Sequence, residues 1–213
     1  MDQYTLTGEY YLHPTPAGAY YAASRPTRDP ARNFLQRLLR EPETPRLSVP
    51  LVQEWMSLSE TDALEFIYRL QSSGFIQGLP MPVGVPPDSI EALLHPLLMQ
   101  LSDEGNAILA EKNGLYLGTA GFAHETSEEL AALAADLASV HERHARLLHN
   151  NMRLRTDGWG MVNASGYAEI GFWPLYIGSE YFVLIVGGLP RFNQSAFTTL
   201  VWSLGVRYGG GPA

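Results

Sequence analysis

The chain has 213 residues, and its 46% apolar, 17% charged and 11% aromatic side chains are typical of a folded protein, not of a disordered or fibrous one. Its formal net charge is −8, and thirteen of its fourteen cationic residues are arginine, which argues against a general nucleic-acid binder. The chain contains no cysteine, which excludes disulfides, thiolate metal sites and a cysteine nucleophile.

The sequence gives no signal for secretion or for a membrane. The N-terminus lacks a basic region followed by an apolar run. No stretch approaches the roughly 18 apolar residues that a membrane-spanning helix needs. We therefore expect a soluble, cytoplasmic protein without membrane insertion.

The N-terminal segment begins with an expected β-hairpin. Two aromatic, extended segments, TGEYYL and GAYYAAS, lie between residues 4 and 23 and flank the breaker sequence at 13–18. Asp29 followed by Pro30 predicts the start of a first helix, whose arginines point away from its apolar stripe. A short apolar helix is predicted from Val49 to Met56, and Ser59 predicts the cap of a third helix that reaches about residue 73.

Three short helices followed by an extended segment resemble a winged helix-turn-helix unit, and the string LSETDALEFIYRLQSSGFIQ carries the resemblance. We expect residues 1–80 to form a winged-helix-like module. Its recognition-type helix contains Glu60, Asp62 and Glu65 against Arg69, whereas a helix in the major groove needs positive charge. We therefore expect this module to bind protein and not nucleic acid.

A proline-rich segment marks the predicted domain boundary. Four prolines between residues 79 and 87 predict an extended linker at 81–87, with a second domain at 88–213. Asp88 is expected to cap the first helix of that domain, and Pro96 to kink or split it.

The second half alternates strand and helix signals. Strands at 106–112 and 115–120 flank Asn113-Gly114, which favours a type I′ turn, and the capping box from Thr126 to Glu129 opens a helix that ends near residue 150. Three strands follow, at 159–163, 167–173 and 181–187, and then a helix to Tyr208, capped by Asn193 or Ser195. The order α-β-β-α-β-β-β-α predicts an α+β fold, a five-stranded antiparallel sheet with helices.

This second half resembles the Roadblock/LC7 domain, a small-GTPase regulator of the dynein light chain type. The strings LSDEGNAILAEKNGLYLGTAG, ELAALAADLASVHERHARLL and GYAEIGFWPLYIGSEYFVLIVGG carry the resemblance, which covers residues 88–208. It implies a homodimer that forms through the long helix and the neighbouring middle strand, here the strand at 159–163.

The long helix at 127–149 is rich in leucine and alanine. We expect its leucines to cover the sheet and its alanines to admit a second subunit, with a monomeric helix packed only on its own sheet as the alternative. The predicted dimer interface consists of Ala131, Ala134, Ala135, Ala138, His141, Ala145, Trp159 and Met161. Trp173, Tyr176 and Tyr181 are candidates for a partner-binding patch, and core packing is an equal alternative for them.

Histidines are the first candidates for metal ligands. His141 and His144 are three residues apart and could face one ion, whereas His149 is rotated off that face of a regular helix. A solvated helix face is the favoured interpretation. The sequence has neither a G-x-S-x-G nucleophile elbow nor a phosphate-binding loop. We expect no enzyme, no metal and no cofactor.

Together these patterns predict a non-catalytic, homodimeric regulatory or scaffold protein of bacterial type. The Roadblock/LC7 resemblance implies a Ras-like small GTPase, or a polarity, motility or signalling complex, as its partner. The alternative is a winged-helix transcription regulator with a GAF-like sensor domain. A small enzyme on a profilin- or PAS-like fold is a third possibility, which no constellation of residues supports.

Overall fold

The computed structural model describes residues 4–210. Its elements, in chain order, are β1 (Tyr11–Pro14), α1 (Pro16–Ala23), α2 (Pro30–Leu38), α3 (Val49–Met56), α4 (Glu60–Ser72), β2 (Ile76–Leu79), α5 (Ile90–Gln100), β3 (Ala107–Glu111), β4 (Tyr116–Ala120), α6 (His124–Ala145), a π-helix (Arg146–Asn151), β5 (Trp159–Val162), β6 (Ala168–Ile177), β7 (Glu180–Gly187) and α7 (Ser195–Tyr208).

The predicted N-terminal hairpin is wrong, because its second segment is the helix α1. Thr15 caps this helix by accepting a hydrogen bond from the Gly18 amide at 3.1 Å, and Pro16 occupies its first turn. The strand β1 pairs antiparallel with β2 instead. Gly18 allows the close approach, since a Cβ there would lie 2.0 Å from the carbonyl oxygen of Phe75.

Helices α2, α3 and α4 begin where the sequence predicts. Asp29, Ser48 and Ser59 each accept a hydrogen bond from the amide three residues later. Arg32, which we expected off the apolar side of α2, is only 4% exposed and forms an ion pair of 2.7 Å with Asp29. The winged-helix interpretation of this segment stays a prediction.

The proline-rich segment is extended and attached to the loop after α2. Thr44 and Val83 exchange two hydrogen bonds of 2.9 Å, one of them through the Thr44 hydroxyl. Ser89, and not Asp88, caps α5, and Pro96 lies inside this helix without splitting it.

The second half has the predicted order α-β-β-α-β-β-β-α, and its five strands form one antiparallel sheet with the spatial order β4-β3-β7-β6-β5. The β3–β4 turn is not type I′, because Gly114 has a φ of +85° and Asn113 does not have a positive φ. The Gly114 amide donates to the Glu111 carbonyl and the Glu111 amide to the Leu115 carbonyl, which is a three-residue loop with glycine in the left-handed region.

Two helix starts differ from their predictions. The helix α6 begins at His124, before the expected capping box, and has no side-chain cap; Ser127 lies inside it and its hydroxyl bonds to the Ala123 carbonyl. The helix α7 begins at Ser195 after Gln194, so neither predicted residue caps it through a side chain.

Helices α1, α5 and α7 cover one face of the sheet, and α6 covers β3, β4 and β7 on the other. The larger core on the first face includes Phe34 and Leu35 of α2 together with Phe197 and Val201 of α7, all of them fully buried. One hydrophobic core therefore extends across the segment predicted to be a linker. Between residues 4 and 210, no helix has the length and apolar composition needed to cross a membrane.

Candidate functional site

The alanine side of α6 faces the protein's own sheet. Ala131, Ala134 and Ala138 are at most 8% exposed, and the first two pack with residues of β3, β6 and β7. The expected division of the helix is therefore wrong for these alanines, which face the sheet together with the partly buried Leu130 and Leu137. Ala135 and Ala145 are half-buried, and Leu133 is exposed on the outer side.

The strand β5 lies at the edge of the sheet and pairs with β6 alone among the strands of residues 4–210. Met161 is 61% exposed, and Val162 and Tyr167 beside it are exposed to a similar extent. Trp159 is half-buried against α6. An edge strand with exposed apolar side chains can pair with a further strand.

The predicted patch of three aromatic residues is divided between the two faces of the sheet. Tyr176 and Tyr181 are register partners on β6 and β7, with ring centroids 5.2 Å apart. Trp173 lies on the opposite face and packs edge-on against Phe192 at 5.0 Å, because neighbouring positions of a strand alternate. Trp173 therefore belongs to the core, and the two tyrosines remain the candidates for binding.

These two tyrosines line a cleft of about 910 Å³ between α2 and the α6 side of the sheet. The cationic side chains of its lining are Arg28, Arg37, Arg40 and Lys112, and the acidic ones are Glu41, Glu142 and Glu180. The sequence marks the arginines and the tyrosines separately but does not predict the cleft, because only the packing of the two halves of the chain brings these residues together.

The tyrosine hydroxyls of the cleft stay protonated over a wide pH range. Burial, followed by the neighbouring Glu142 and Asp157 carboxylates, raises the pKa of Tyr181 to about 12. Burial also raises the pKa of Tyr176 well above its ordinary value, and the nearby Tyr181 and Asp157 add to this effect. The Tyr181 hydroxyl can therefore donate a hydrogen bond to a bound partner, whereas the Tyr176 hydroxyl is directed at Asp157 Oδ2.

A π-helix changes which histidines meet. The Met152 amide donates to the Leu147 carbonyl, five residues earlier, at 2.9 Å, and Arg153 then ends the segment with a φ of 56°. This wider turn brings His149 to His141, with their Nε2 atoms 3.1 Å apart. The expectation that His149 faces away is wrong, and His144, the other candidate ligand, is exposed on α6.

Asp157, in the loop before β5, completes this cluster. Its Oδ1 atom lies 4.0 Å from His141 Nε2 and 3.6 Å from His149 Nε2, and its side chain is 5% exposed. That oxygen has no hydrogen-bond partner among the described residues, while the Tyr176 hydroxyl lies 3.5 Å from Oδ2. The Trp159 indole donates to His141 Nδ1 at 3.2 Å. No sequence spacing marks this group, because its members come from three different segments.

Comparisons with known proteins find similar solved structures for just over half of the chain. No family model matches the chain, and no curated protein does. The Roadblock/LC7 domain from Streptomyces avermitilis is 16% identical and has a TM-score of 0.37; the match covers 56% of this chain and 93% of that one. MglB of Myxococcus xanthus is also 16% identical with a TM-score of 0.37, and the match covers 55% of this chain and 85% of that one. Similarity at this level assigns neither an activity nor a partner.

Proposed function

We propose that this chain is a non-catalytic regulatory protein with a Roadblock/LC7-like second half, which forms a homodimer through β5 and the outer side of α6. The exposed apolar edge of β5 is the observation that carries the proposal. We further propose that the dimer binds a Ras-like small GTPase, or a polarity, motility or signalling complex, as the family resemblance implies.

The exposed edge of β5 favours a second copy of the chain as its partner. An exposed edge strand offers unpaired backbone groups, and Met161 adds an apolar side chain that is 61% exposed. Two copies related by a two-fold axis place the same strand opposite itself in antiparallel orientation, which continues the sheet into the second subunit. The proposed interface also includes the outer side of α6, where the Leu133 side chain is exposed.

The cleft beside α6 is the proposed partner site. Tyrosine and arginine are the residue types that most often dominate binding energy at protein interfaces, and Tyr176, Tyr181, Arg37 and Arg40 line this cleft. Arg37 is paired with Glu54 at 3.5 Å in a solvent-exposed contact, which a partner carboxylate can replace at small cost.

Light scattering coupled to size exclusion tests the dimer. The expected mass is twice the 23.5 kDa of the chain, about 47 kDa. Met161→Arg places a charge at the centre of the interface and should shift the mass to that of a monomer. Met99→Arg is the matched control, because Met99 is also exposed but lies on α5, and it should leave the dimer intact. A monomeric wild type would contradict the proposal.

The partner is tested with a purified Ras-like GTPase from the same organism, loaded with GDP or with a GTP analogue. We expect binding in one nucleotide state, and a loss of about tenfold or more in affinity for Tyr181→Ala and for Arg40→Glu. Arg69→Glu, on α4, is the charge-matched control and should bind like the wild type. Absence of binding in both nucleotide states would contradict the GTPase as partner and would leave the dimer to be judged by its own measurement.

A further inference from the structure

We propose that His141, His149 and Asp157 form a binding site for one divalent zinc ion, with a water molecule as the fourth ligand. This site goes beyond the proposed regulatory function and does not depend on it. The carboxylate and the two imidazoles come from three consecutive structural pieces, which are α6, the π-helix and the loop before β5.

The spacing of the three ligand atoms fits a tetrahedral ion. The two Nε2 atoms of His141 and His149 are 3.1 Å apart. Asp157 Oδ1 lies 3.6 Å from His149 Nε2 and 4.0 Å from His141 Nε2. A tetrahedral zinc ion with bonds of about 2.0–2.1 Å holds its ligand atoms about 3.3–3.4 Å apart. The point in the plane of these three atoms that is equidistant from them lies about 2.1 Å from each, which is the length of a zinc bond to nitrogen or oxygen. A tetrahedral ion lies outside that plane, so the three ligand atoms must each move inward by about 0.2 Å to hold it.

The buried carboxylate is the second, independent observation. The Asp157 side chain is 5% exposed, yet Oδ1 accepts no hydrogen bond within residues 4–210. A buried carboxylate oxygen that accepts no hydrogen bond is unfavourable, and proteins compensate such groups by pairing or by metal coordination. Oδ1 points to the two histidine nitrogens, so a cation between the three atoms compensates the charge.

The ligand set selects the class of metal. Two imidazoles and one carboxylate suit zinc and its neighbours in the first transition row, whereas calcium and magnesium prefer oxygen ligands alone. The fourth position stays open to water, as at zinc sites with three protein ligands. The Tyr176 hydroxyl near Oδ2 is placed to orient the carboxylate from behind.

Zinc binding changes which ring nitrogen of His141 carries the proton. The Trp159 indole donates to Nδ1 of His141, which places the ring proton on Nε2, where it faces the lone pair of His149 Nε2. A zinc ion on Nε2 requires that proton to move to Nδ1, so the indole N–H must turn to another acceptor. Asp157 lies two residues before the start of β5, and the ion therefore links the segment that leads into the edge strand to α6.

Isothermal titration of the chelator-treated full chain with zinc chloride tests the site. We expect one ion per chain, an accompanying rise in the thermal unfolding midpoint and a change in tryptophan fluorescence. His149→Ala and Asp157→Asn should each weaken zinc binding at least tenfold. Trp159→Phe should bind zinc as well as the wild type or more tightly, because it removes the donor that favours the other tautomer.

His144→Ala is the matched control, because His144 lies on the same helix but is exposed and outside the cluster. It should bind zinc like the wild type. Far-UV circular dichroism establishes that each variant is folded, and His149→Gln replaces His149→Ala if the latter is not. Absence of zinc binding by the wild type, or an equal loss in His144→Ala and His149→Ala, would overturn the proposal.

Discussion

Replacing Gly205 by alanine tests the contact between the two halves of the chain. Gly205 lies inside α7, and a Cβ atom there would lie 2.4 Å from the carbonyl oxygen of Leu39 and 3.1 Å from its carbonyl carbon. An exposed glycine inside a helix gains about 1 kcal/mol of stability when alanine replaces it. Here the two backbones must separate by about 1 Å to restore an ordinary contact, and such overpacking typically costs about 1–3 kcal/mol. Because the contacted atoms are backbone, the steric cost should exceed the gain in helix propensity.

We therefore expect Gly205→Ala to lower the free energy of unfolding by up to about 2 kcal/mol in urea denaturation, with one transition seen by circular dichroism and by tryptophan fluorescence. Gly210→Ala is the control, since a Cβ at Gly210 meets no atom within 4 Å, and it should leave the stability nearly unchanged. An unfolding free energy of Gly205→Ala equal to or above that of the wild type would refute the packing of α7 against Leu39.

Three further predictions concern local stability. Asp29→Ala removes the cap of α2 and the partner of the buried Arg32, and urea denaturation should show a loss of about 2–4 kcal/mol in the free energy of unfolding. A loss below about 1 kcal/mol would be too small for a buried pair. The pKa of Tyr181 is raised to about 12 in the folded chain, so its stabilising contribution is complete below pH 10 and is lost between pH 10 and 12. Over this range the free energy of unfolding should decline less steeply with pH for Tyr181→Phe than for the wild type, and equal slopes would contradict the assignment. Gly114→Ala forces alanine to a φ of +85° and should lower the thermal midpoint, with an unchanged midpoint as the contrary result.

Local signals predicted most of the fold. Asp29 with Pro30, and Ser59, mark helix starts that the structure contains, because a side-chain cap acts within four residues. The β-strands of the second half follow from alternation and from their turn glycines. The aromatic segment around Tyr20 misled the prediction, because Thr15 and Pro16 start a helix whose alanines bury against α7. Tertiary packing decided there against the strand preference of tyrosine.

The candidate sites were less accessible to sequence reasoning. Periodicity assumes 3.6 residues per turn, so the π-helix and the position of His149 could not follow from it. Asp157 is sixteen positions after His141 and meets it only through the loop that leads to β5. Tyr176 and Tyr181 were predicted for binding, while the cleft that they share with Arg40 depends on the packing of α2 beside the sheet.

Cysteine cross-linking of the edge strand tests the proposed dimer most directly, because the chain contains no native cysteine. With the two-fold axis at position 161, within β5, the two copies of this residue are direct antiparallel partners and lie close enough for a disulfide. Met161→Cys should therefore form a covalent dimer on mild oxidation at low protein concentration. Met81→Cys is the control, because Met81 is 70% exposed and lies in the proline-rich segment outside the five-stranded sheet, and it should stay monomeric on a non-reducing gel. Equal and slow cross-linking of the two variants would contradict a homodimer through β5.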